Sequence, residues 1–174
     1  MPRDMPRDDE NARQGARQPW WASGEVEPET TRHDMTTLAW NEQWRMGIED
    51  VDRARREVLQ AYEQLRGAVR GEAGPGTRTR LLGELMAAME RLFVEEEGVM
   101  VAVDYPGAED HFREHHDLLA RLGRYRDALE AGWQALDLPA TQFIGSNLSG
   151  HFTDEDRTLV TWLAREGVEA LAVV

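Results

Sequence analysis

The sequence contains no cysteine, which excludes a disulfide framework, a thiolate metal site and a cysteine nucleophile at once. Any bound metal must then rely on histidine and carboxylate donors, a set that suits iron, manganese or zinc. Positive charge is also scarce, with 20 Lys and Arg against 33 Asp and Glu, giving a formal net charge of −13. A field of that sign repels phosphate backbones and anionic head groups, so no nucleic-acid or membrane partner is expected. Long hydrophobic runs are missing as well. No stretch approaches the roughly 18 apolar residues of a membrane span, and the N-terminus lacks the apolar centre of a signal peptide, so the expected location is cytoplasmic. At 174 residues the chain suits one domain with a real core and is short for two.

Residues 1–38 are polar, rich in Arg, Asp, Glu and Pro, and open on MPRD repeated twice with no apolar period. They are expected to form an irregular N-terminal tail. Pro19-Trp20-Trp21 is its exception, either docking on the body or a partner, or packing loosely. From about residue 39 the pattern turns helical. Ile48, Val51, Val58, Leu59, Tyr62, Leu65 and Val69 recur at three- and four-residue steps and predict a helix over 49–70. Gly71-Glu-Ala-Gly-Pro-Gly76 should break it.

A second helix is expected over about 77–103, on a stripe from Leu81 to Val103 that carries one charged member, Glu96, and ends at Tyr105-Pro106-Gly107. The third should cover 108–130, with Gly132 as the next break. The fourth should start near Pro139, which suits a first-turn position, and run towards 168. Four amphipathic helices, short loops and no strand specify an all-α, up-and-down four-helix bundle over 39–174.

Four of the five histidines lie in the last two helices: His111, His115, His116 and His151. His111 and His115 stand at i, i+4, so their imidazoles share a helix face and can grip one ion. That spacing alone is common. Its weight comes from Glu96 on an apolar face and from His151 followed by Asp156, because a charged group facing a core costs several kcal/mol unless paired or metal-bound. His116, about 100° round from His115, and His33 in the tail read as solvent-facing. Glu95 and Glu97 read as solvated unless a helix rotation brings one in as a substitute ligand, and Trp44 and Met100 read as packing.

Taken together, the Trp40–Ile48 segment with Asp52 after it, Phe93-x-x-Glu96-Glu97-x-x-Met100, Tyr105-Pro106, His111-x-x-x-His115 and His151-x-x-x-x-Asp156 resemble the hemerythrins and bacterial hemerythrin-like (HHE cation-binding) proteins over roughly 40–165. The resemblance implies a two-iron oxygen site. On one iron its three terminal histidines correspond to His111, His115 and His151, and its two bridging carboxylates to Glu96 and Asp156. The second iron's histidines would fall at Arg55 and Leu92. Neither is a ligand: leucine has no donor atom and arginine stays protonated with no lone pair to offer.

A guanidinium at Arg55 could instead neutralise the carboxylate oxygens that had faced the second iron, with Leu92 filling the remaining volume. One non-heme ion, iron first and manganese or zinc behind it, is then the expected cofactor, held by His111, His115, His151, Glu96 and Asp156. Arg55 and Tyr62, two turns apart on one helix face, are the candidate catalytic residues, Arg55 to orient an anionic substrate and Tyr62 to line the pocket. Asp52 is a candidate partner for Arg55.

Three functions fit: a metalloenzyme acting on a small molecule, a protein that binds or senses dioxygen, nitric oxide or iron, and an interaction module with a degenerate site. The expected partner is a small molecule or dioxygen, with a homo-oligomer as the assembly left open.

Overall fold

The computed structural model describes residues 38–132 and 135–167. The polar tail with its Trp20-Trp21 pair and His33 lies outside these. After a single 3-10 turn at Glu42–Trp44, five helical segments follow: α1 Glu49–Arg70, α2 Pro75–Ala102, α3 Ala108–Glu130, α4 Leu138–Thr153 and α5 Glu155–Arg165. They form the four arms of an up-and-down bundle, with α4 and α5 as the two halves of the fourth. Among the described residues there is no strand, and no helix is long and apolar enough to cross a membrane.

The first and third arms have the bounds that periodicity predicts. In the second, the expected break at Gly71–Gly76 is shorter, because Pro75 takes the first position of α2. Proline's fixed φ suits that place, where its missing N–H has no helical acceptor anyway. Asp137 caps α4 by accepting from the Ala140 N–H at 3.0 Å. Gly132, with φ +72°, follows the end of α3 in the left-handed conformation common just past a helix.

The core is the convergence of the apolar stripes. Val51, Val58 and Leu65 of α1 meet Leu82, Leu85, Met89 and Leu92 of α2, with Leu148 and Leu159 from the fourth arm, all buried. Tyr62 belongs here. Its hydroxyl donates to the Thr141 carbonyl of α4 at 3.1 Å, and a Cβ at Gly145 would stand 2.3 Å from that hydroxyl oxygen, so glycine lets the two arms close. Tyr62 thus packs between the first and fourth arms, its hydroxyl spent on a backbone carbonyl.

The fourth arm departs from a single continuous helix. It is interrupted at Asp154, whose N–H reaches the carbonyls of both Gly150 and His151. In an unbroken helix, positions five apart are about 140° round from each other, so His151 and Asp156 would diverge. The interruption lets both point inward, and their Nε2 and Oδ1 atoms lie 3.2 Å apart.

Candidate metal centre

Each arm delivers a polar side chain to one point inside the bundle: Arg55 from α1, Glu96 from α2, His111 and His115 from α3, and His151 and Asp156 from the two halves of the fourth arm. All six are buried, Glu96 completely. One donor atom from each of His111, His115, His151, Glu96 and Asp156 lies within 4.8 Å of every other, and among the described residues this is the one such group.

The carboxylates face two ways. Glu96 Oε1 accepts from Arg55 Nε at 3.0 Å and Nη2 at 2.8 Å, and Asp156 Oδ2 lies 2.7 Å from the same Nη2. Their other oxygens turn towards the imidazoles. Glu96 Oε2 is 3.3 Å from His115 Nε2 and 4.0 Å from His151 Nε2. Asp156 Oδ1 is 3.2 Å from the Nε2 atoms of both His111 and His151.

On the imidazole side hydrogen bonding is incomplete. Glu96 Oε2, Asp156 Oδ1 and His111 Nε2 are sealed from solvent without a hydrogen-bond partner among the described residues, and the Nε2 atoms of His115 and His151 stand 3.2 Å apart. Buried polar atoms are normally satisfied, so three orphans and two facing imidazole nitrogens around one point describe a cradle for a cation. Donors about 2.1 Å from a shared ion span up to about 4.2 Å across it, so modest inward shifts of the widest pair close the set. The residues present therefore fit one ion of the nitrogen- and oxygen-seeking class.

Electrostatics agree with this polarity. Burial works against charge on Glu96, yet the neighbouring His115 and His151 imidazoles and the Arg55 guanidinium outweigh it and hold the carboxyl well below its ordinary range. Burial likewise opposes charge on Arg55, and Asp156 and Glu96 more than offset it, so its pKa is raised. The guanidinium is also fastened from behind, with Nη1 donating to the Trp44 carbonyl and the group lying 5.6 Å over the Phe152 ring. With Nε, Nη1 and Nη2 all engaged and 1% exposure, Arg55 has no face to offer a substrate.

Asp52 serves a different end from the Arg55 pairing considered above. Its carboxylate accepts from the Met46 and Gly47 N–H groups at 2.7 and 3.1 Å, fixing the turn that precedes α1. Leu92 is fully buried, and His116 is exposed beside Asp117.

Two contributors were not evident from the sequence. Glu97 is half-buried and its Oε1 lies 2.9 Å from His115 Nδ1, which fixes the tautomer with the proton on Nδ1 and the lone pair of Nε2 aimed at the cluster. It stands in a run of three glutamates, and only the helix phase distinguishes it from Glu95. Phe93 stacks on the same imidazole, with ring centroids 3.8 Å apart and planes within 6°. Glu97→Gln is expected to weaken metal binding about 10- to 100-fold, read by competition with a chelator of known affinity. An unchanged affinity would show that stacking on Phe93 alone orients His115.

A family model described as the hemerythrin HHE cation binding domain matches residues 46–163, a span that includes all five donor residues and Arg55. A bacteriohemerythrin of Ralstonia nicotianae (strain ATCC BAA-1114 / GMI1000) is 29% identical over 136 residues, covering 78% of this chain and 96% of that protein. No solved structure matches.

Proposed function

Since the chain belongs to the hemerythrin HHE cation-binding family, we propose that it is a single-ion non-heme metalloprotein, with iron as the resident metal, and that it acts as an enzyme on a small molecule. One observation carries the reading. Arg55 holds the two carboxylate oxygens that face away from the imidazoles, at the position where the family resemblance puts a ligand of a second iron. One cation replaces another, and buried Leu92 fills the place of the other missing histidine.

When bound, an iron ion supplies Lewis acidity and redox capacity. The chain's own part is to hold it and to keep the two carboxylates in a fixed division of labour. Five donors leave one position of a six-coordinate ion for water or a small molecule. The corresponding organisation is a bundle over residues 39–174 behind a tail of 1–38, which the start of the family match at residue 46 supports.

A second reading, binding of dioxygen or nitric oxide without turnover, is favoured by the likeness to a protein named bacteriohemerythrin. Elemental analysis of the purified protein tests the first. One metal ion per chain is expected, and Arg55→His combined with Leu92→His should raise the content towards two. Two ions in the unaltered protein would overturn the single-ion reading. A visible absorption band that forms in air and disappears reversibly under vacuum would replace the enzyme reading with the second.

A further inference from the structure

On the outer face of the same arm, away from the buried cluster, α5 and the turn before α3 enclose a groove of about 750 Å³. That volume lies within the ordinary range of small-ligand sites. Its walls combine three kinds of chemistry. Tyr105 and Trp162 form an edge-to-face aromatic pair with centroids 5.2 Å apart. Arg157 and Arg165 both line it, and among the described residues neither guanidinium has an ion-pair partner. Thr153 adds a hydroxyl that accepts from the Trp44 indole N–H at 3.4 Å, leaving its own hydrogen free to be donated.

On a chain of net charge −13, two arginines without an ion-pair partner among the described residues, flanking an aromatic corner, are out of keeping with their surroundings. A pair of planar forks suits a carboxylate, and a ring edge-to-face pair offers a third ring an apolar seat. Carboxylates set the upper limit on charge. Asp154 lines the groove, and Glu155 is near enough to help burial push the Tyr105 phenol up, so a polyanion is repelled where a single negative charge is not.

We propose that this groove binds a small monoanionic aromatic carboxylate, its carboxylate between Arg157 and Arg165 and its ring against Trp162 and Tyr105. The site is separate from the metal centre and does not rest on the single-ion reading. Asp156, one residue before Arg157, is buried in the core while Arg157 is exposed, so one short helix serves both places.

Isothermal titration of the metal-loaded protein with benzoate tests the proposal. Saturable binding is expected, weakening as salt is raised, and weakened roughly tenfold or more in Arg157→Gln/Arg165→Gln. Benzamide, which keeps the ring and lacks the charge, should bind correspondingly worse. Absence of saturable binding would overturn the proposal. So would equal affinity in the double variant, which would put the carboxylate on the metal ion instead, or equal affinity for benzamide. Should the double variant fail to fold or lose its metal, Thr158→Glu places a carboxylate on the same wall from an exposed position and should abolish binding by repulsion; retention of full affinity there would equally refute the site.

Discussion

Arg55→Met is expected to lower the unfolding free energy by about 3–5 kcal/mol, the range found when one partner of a buried ion pair is removed and the other charge stays behind. Methionine keeps most of the volume, so the loss isolates charge from packing. Glu96 Oε1 and Asp156 Oδ2 would be left sealed from water without the guanidinium that now reaches both. For a chain of this size about 2–4 °C of melting temperature accompanies each kcal/mol, so a drop on the order of 10 °C should appear in thermal unfolding followed by circular dichroism. Arg55→Lys should fall between, because it restores charge without the fork. A shift within the error of the measurement would mean that the carboxylates do not depend on Arg55. A further sign would be specific to the variant: excess metal should recover part of the lost stability, since the freed oxygens then face a space that a second ion can enter.

Stripping the metal is the second large effect. An ion present at about 1,000 times its dissociation constant stabilises by about 4 kcal/mol, so chelation should also lower the melting temperature by roughly 8–16 °C. The pH dependence gives this result its signature. Burial opposes a charged His151, but Asp156 and Glu96 outweigh it and raise the pKa above the ordinary 6.5. A raised imidazole pKa contributes stability that is fully present below the unfolded value and is lost as pH rises through the folded one. The chelated protein should therefore melt higher at about pH 6 than at about pH 8, with a proton partly standing in for the ion. Metal-loaded protein should show the reverse, because protons compete with the ion for imidazole lone pairs. Glu96 acts in the other sense: its depressed pKa gives stability present above the ordinary 4.5 and lost as pH falls through the folded value. Parallel pH profiles with and without chelator would rule out a metal at this cluster.

The arms of the bundle were legible because apolar side chains repeat at helical spacing over long stretches, as from Val51 to Val69 in α1. Pro75 was misplaced by the same logic that usually succeeds: proline next to glycine reads as a loop, and only the observed helix start shows that it occupies the tolerant first position. The five donor residues could be picked out because charge or imidazole stood on faces that should be apolar, and the structure brings all five together. Arg55 was visible as an anomaly, but its full commitment was not, since the Trp44 carbonyl that fastens it is a backbone group and leaves no trace in residue type. Glu97 was hidden by resemblance to its neighbours. The interruption at Asp154 had a readable sign that periodicity alone does not supply: two groups that must converge, placed five apart, cannot do so on one regular helix.

That junction also decides the sign of the charge presented to the cluster. Successive residues of α5 are turned about 100° from one another, so the length of the joint selects which of three neighbours looks inward. With the joint as it is, the choice falls on the carboxylate of Asp156, opposite the guanidinium of α1. One residue shorter, and the inward place passes to Arg157, setting cation against cation; one longer, and it passes to Glu155, the same charge on a longer stem. A single-residue deletion, ordinarily harmless at a surface turn, is here equivalent to reversing the charge of a buried group.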